Sequence, residues 1–101
     1  MNKVAIVGAG ASGLVAAIYA KNSNNDVYIL EKNEECGKKI LVTGNGRCNY
    51  FNDDQDLKHY YSKINLDGLI NKKNLDEVEK FFLSIGIVPK IKNGYYYPHS
   101  N

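Results

Sequence analysis

The chain has 101 residues, 44% of them hydrophobic, with 13 basic and 11 acidic side chains. That balance describes a soluble globular protein, and a net charge of +2 makes no case for nucleic-acid binding. No apolar run approaches the ~18 residues needed to span a bilayer, and the short run before Gly8 falls below the ~7–15 of a secretory signal. A cytoplasmic protein with no membrane partner is therefore expected.

Val4-Ala5-Ile6-Val7 reads as a strand, and Gly8-Ala9-Gly10-Ala11-Ser12-Gly13 follows it directly. Leu14 to Ala20 reads as a helix, and Val27-Tyr28-Ile29-Leu30 as a second strand ending at Glu31. Strand, glycine-rich turn, helix, strand and acid is the order that cradles the pyrophosphate of an adenine dinucleotide. Gly8 lets the chain turn out of the strand, Gly10 lets a phosphate approach the backbone, and Gly13 lets the helix pack closely. The helix then presents its free N–H groups and positive dipole end to the phosphates. Glu31 lies 18 positions after Gly13, near the expected spacing of about 20. A carboxylate there accepts hydrogen bonds from ribose hydroxyls and repels a 2′-phosphate. FAD or NAD is favoured over NADP at this site.

Lys32 to Lys39 is a charged loop holding Gly37, and Ile40-Leu41-Val42 is a short apolar run. Thr43-Gly44-Asn45-Gly46-Arg47-Cys48-Asn49 is a second glycine-rich polar loop. Its donors, with Lys38 and Lys39, fit a second wall of an anionic cofactor site. On spacing alone an ordinary surface turn fits equally. Arg47 is the only Arg beside 12 Lys, which points to bidentate binding of a phosphate or carboxylate. Cys36 and Cys48 lack CxxC spacing and read as reduced thiols. His59 and His99 are isolated in sequence, so no metal site is expected.

Short helices are expected around His59-Tyr60-Tyr61 with Ile64, and around Leu66-Leu69-Ile70. A clearer helix begins at a cap on Asn74, with Glu77 completing a capping box. Leu75, Val78, Phe81 or Phe82, and Ile85 form its apolar face, and Gly86 fits the C′ position. Asn93-Gly94 between two apolar runs predicts a hairpin whose tyrosines, Tyr95 to Tyr97, alternate across a strand.

Gly8 to Gly13, Glu31-Lys32, Gly37-Lys38-Lys39 and Thr43 to Asn49 together resemble the bacterial BaiN-like flavoproteins. These form the aminoacetone-oxidase family of NAD(P)/FAD-dependent oxidoreductases. The lysine pair leading into TGxGRCN is far more specific than the glycine turn. Phe81-Phe82, Gly86, Gly94, Tyr97-Pro98 and Ser100 resemble a later stretch of that family. The resemblance implies an FAD-binding oxidoreductase, with NAD(P)H as a possible co-substrate and a small organic molecule as substrate. It implies pyrophosphate at Gly8, Gly10 and Gly13, with Ala11 and Ser12 between them, and the adenosine ribose at Glu31, beside Lys32. Lys39, Thr43, Gly44, Arg47, Cys48 and Asn49 match a segment running along the cofactor toward the flavin.

The sequence departs from the family in three places. Phe51 stands where a Thr is usual, Tyr95 where an Arg is usual, and Tyr97 where a Phe is usual. A hydroxyl contact at position 51 and a charge contact at position 95 are not carried over. Family members are several times longer, so the chain reads as the N-terminal part of one FAD-binding domain. Its fold class is α/β: a Rossmann-like βαβ unit of a three-layer parallel-sheet fold, incomplete here, followed by helices and a β-hairpin. Residues 1–52 would form the βαβ unit plus cofactor loop, and residues 53–101 the helical segment and hairpin. The 101 residues alone are expected to be inactive and poorly folded or self-associating through open sheet edges. No residue stands out as an acid–base catalyst. Two other readings stay open: an NAD-binding dehydrogenase using the same motif, and a truncated, non-catalytic dinucleotide-binding module.

Overall fold

A computed structural model describes residues 1–99, so Ser100 of the family-like stretch lies outside the described residues. The chain divides into two compact units, 1–48 and 49–101. The division falls before residue 52 because Phe51 and Asn52 form a strand that pairs with the hairpin.

In the first unit β1 (Asn2–Val7) and β2 (Asn25–Leu30) are joined by helix α1 (Ala11–Ala20). The strands are parallel, from Asn2 opposite Asn25 to Val7 opposite Leu30. Alternation along β1 half-buries Val4 and Ile6 and leaves Ala5 and Val7 exposed. Leu14, Val15 and Ala17, half-buried on α1, complete the small apolar layer. Ala9, at 1% exposure, is the fully enclosed side chain of this unit. The other face of the strand pair stays open: Val7 is 85% exposed and Leu30 56%. A parallel sheet ordinarily has both faces covered.

The glycines in the turn differ in what they do. Gly8 has φ +97°, a conformation that only glycine adopts without strain. A Cβ at Gly13 would collide with the carbonyl oxygen of Gly8, so helix and strand can meet this closely only at a glycine. Gly10 has φ −79° and ψ −171°, extended backbone open to any residue, and a Cβ built there meets nothing within 4 Å.

In the second unit α2 (Lys72–Ser84) is followed by strands β4 (Pro89–Lys92) and β5 (Tyr95–Pro98). Asn93 and Gly94 both have positive φ, 52° and 81°, so the predicted Asn-Gly hairpin forms. A two-residue strand, β3 (Phe51–Asn52), adds to the far edge of β5, giving the order β3-β5-β4. Sequence gave no hint of β3. Phe51, the residue that replaces the usual Thr, is 9% exposed and packs its ring 5.1 Å from that of Tyr96. The departure at position 51 therefore serves packing. Tyr50 adds to the same cluster, 4.5 Å from Phe82.

The start of α2 differs from expectation. Asn71, not Asn74, is the cap, its side chain accepting from Asn74 N–H at 2.9 Å. Asn74 sits inside the first turn and donates back to the carbonyls of Gly68 and Leu69. The far end agrees with the sequence. Ile87 N–H donates to Phe82 and Gly86 N–H to Leu83, the paired bonds of a Schellman ending. The two weaker helices do not form. Leu57–His59 is a single 3-10 turn capped by Asp56, and Tyr61 is fully exposed. Leu66 to Ile70 is a turn closed by Ile70 N–H donating to Leu66. Asp54 takes His59 as its partner at 3.0 Å, and that bond lowers the Asp54 pKa.

Candidate functional site

A cleft of the first unit, about 1100 Å³, lies where the two strands end and the helix begins. Its floor is the turn from Val7 to Ser12, and its sides come from Ile29 to Asn33 and from Glu35, Lys38, Lys39, Ile40 and Thr43. Parallel strands joined by a helix place their carboxyl ends and the helix N-terminus together, so the cleft follows from the βαβ order itself. It is large enough for a dinucleotide and open on one side.

The helix end inside this cleft is uncapped. Gly10 is the N-cap of α1 and no side chain bonds back to the first turn. The first amides of a helix have no partner within it, and their dipole favours an anion. Gly10 stands at the same place with open space where a side chain would sit. Donors, dipole and free approach converge on one spot, which is the arrangement a phosphate requires.

Glu31 lies beside the turn. Ala9 N–H donates to its Oε1 at 2.8 Å and Asn33 N–H to its Oε2 at 2.7 Å. These bonds, Ala9 first, then Asn33, and then the nearby charge of Lys32, hold its pKa below the ordinary glutamate value. The carboxylate is therefore ionised at neutral pH and keeps lone pairs for further donors. A second tie, Gly37 N–H to the Ala9 carbonyl at 2.6 Å, fixes the loop after β2 against the turn.

Of the expected binding residues, Gly8, Gly10, Ala11, Ser12, Glu31, Lys32, Lys39 and Thr43 line this one cleft. Gly13 stands behind it, packed on the Gly8 carbonyl. Gly44, Arg47 and Cys48 are not among its lining residues. Thr43 is extended and Gly44 and Asn45 are left-handed, which folds this loop back on itself. Arg47 N–H then donates to Gly44 and Cys48 N–H to Thr43. Asn49 belongs to the second unit. Sequence reasoning missed Ala9 and Asn33, because backbone amides carry no residue-type signal. Among the described residues, no three His, Cys, Asp or Glu side chains gather as a metal site would need.

Comparison with known proteins agrees with this geometry. The HI0933-like protein Rossmann domain matches residues 2–87. The chain belongs to that family. A 3-dehydro-bile acid delta(4,6)-reductase of Clostridium scindens is 44% identical across the whole chain. The ribosomal RNA dihydrouridine synthase of Haemophilus influenzae is 36% identical over 57% of the chain, and that of Escherichia coli 38% over 46%. The chain spans about a quarter (26%) of the length of the Clostridium protein, and these alignments cover 14% and 12% of the two synthases. The Rossmann-domain match agrees with the parallel strands and joining helix of this HI0933-like chain.

Proposed function

We propose that the full-length protein is an FAD-dependent oxidoreductase and that this chain supplies the adenosine and pyrophosphate end of the flavin site. The observation that carries the reading is the uncapped N-terminus of α1 with open space at Gly10. Gly8, Gly10, Ala11, Ser12 and Gly13 hold the pyrophosphate, and Glu31, flanked by Lys32, takes the ribose hydroxyls. Lys39, Thr43, Gly44, Arg47, Cys48 and Asn49 continue along the cofactor toward its ring. FAD is preferred to NAD because a plain dehydrogenase leaves that second glycine-rich loop without a role. When bound, FAD supplies hydride transfer between NAD(P)H and an organic substrate. The residues of this chain bind and orient it.

The names of the relatives narrow the substrate class. One reduces double bonds in a 3-dehydro-bile acid, and two form dihydrouridine in ribosomal RNA. We infer that the substrate is a small molecule with a carbon–carbon double bond polarised by a carbonyl, by likeness to the reductase that matches the whole chain. Free thiols at Cys36 and Cys48 fit a reducing cytoplasm, and no helix among the described residues is long and apolar enough to cross a membrane.

Anaerobic addition of NADH or NADPH is expected to bleach the bound flavin, and a conjugated enone to restore its colour. Recovery of colour with ribosomal RNA but with no small alkene would overturn the substrate assignment.

A further inference from the structure

Each oxygen of the Glu31 carboxylate is engaged by a different backbone amide: Oε1 by Ala9, in the turn after β1, and Oε2 by Asn33, after β2. The last ladder bond between the strands is Gly8 N–H to the Leu30 carbonyl. One residue farther on, the Ala9 amide has no strand to pair with, and Ala9 is 1% exposed. A buried amide needs an acceptor. The carboxylate provides it and joins the two strand ends where sheet pairing stops.

We propose that Glu31 is a positioning residue as well as a ribose acceptor: its carboxylate latches the glycine-rich turn to the segment after β2 before any nucleotide arrives. The ribose half of this statement rests on the dinucleotide reading, and the latch does not. One lone pair of Oε1 serves the turn and one of Oε2 the segment after β2, and the others remain for a ligand. The charged groups sharing the cleft are Lys32, Glu35, Lys38 and Lys39, of which Lys32 favours the ionised latch. Because the folded-state pKa is lowered, the latch is complete above the ordinary glutamate range. It opens as pH falls through the lowered value.

Residue-resolved amide exchange on the full-length, unliganded protein tests this. In Glu31→Ala the amides of Ala9 and Asn33 should exchange about tenfold faster, with those of α2 unchanged. Glu31→Gln has one acceptor oxygen, so one of the two amides should keep its protection and the other lose it. That isosteric variant carries the test if the alanine variant does not fold. In wild type the two protections should fall together as pH drops below the glutamate range, and in Glu31→Gln that step should vanish. Unchanged exchange at both amides in Glu31→Gln, with only ADP binding weakened, would overturn the latch. Loss of protection in a protein that never binds ADP would sustain the latch and refute the nucleotide reading instead.

Discussion

Gly10→Val should reduce FAD affinity at least about a hundredfold, roughly 3 kcal/mol, in a protein that remains folded. The backbone there is extended, which a β-branched residue adopts readily, and a Cβ finds nothing within 4 Å. The fold therefore has no objection to a side chain at this position beyond the roughly 1 kcal/mol of replacing a glycine N-cap by valine. A ligand drawn to the open amides of α1 does object, because the two valine methyls stand where its phosphates must come. Equilibrium titration with FAD, alongside a thermal melt, separates the two effects. Normal affinity in the folded variant would remove Gly10 from the site.

Gly13→Ala should do the reverse and damage the fold itself. The added methyl would run into the Gly8 carbonyl oxygen and lie 3.0 Å from its carbon. Both atoms are backbone, so neither can rotate aside, and relief requires α1 to lift from β1. The expected loss is about 3 kcal/mol of stability, at the upper end for overpacking. Denaturant unfolding of the full-length protein measures it. A shift within about 0.5 kcal/mol of wild type would show that α1 does not press on β1 at this position. The pair of variants thus distinguishes a glycine kept for a ligand from one kept for packing.

The sequence carried the roles of Gly8 and Gly13 because each is a stereochemical demand at a fixed place in a βαβ unit. The Asn93-Gly94 hairpin and the Gly86 helix ending were legible for the same reason. β3 was not, because two residues are too few for a period and Phe51–Asn52 is a strand only by virtue of Tyr95–Tyr96 beside it. Asn71 and Asn74 offer the same capping chemistry three residues apart, and the turn before Asn71 decides between them. At the site, the cleft residues from Gly8 to Ser12 and Glu31 followed from spacing. Lys39 and Thr43 entered through the family pattern. The second use of Glu31 was hidden, since its partners are main-chain amides whose position depends on the finished turn.

Under the proposed function, the cleft at the head of α1 receives the adenine end of a flavin. The most direct measurement is the visible spectrum of the full-length protein after incubation with FAD and removal of free ligand. Retained flavin bands, lost in Gly10→Val and restored by no excess of NAD, are the predicted result. A colourless protein that binds NADH at the same cleft would contradict it.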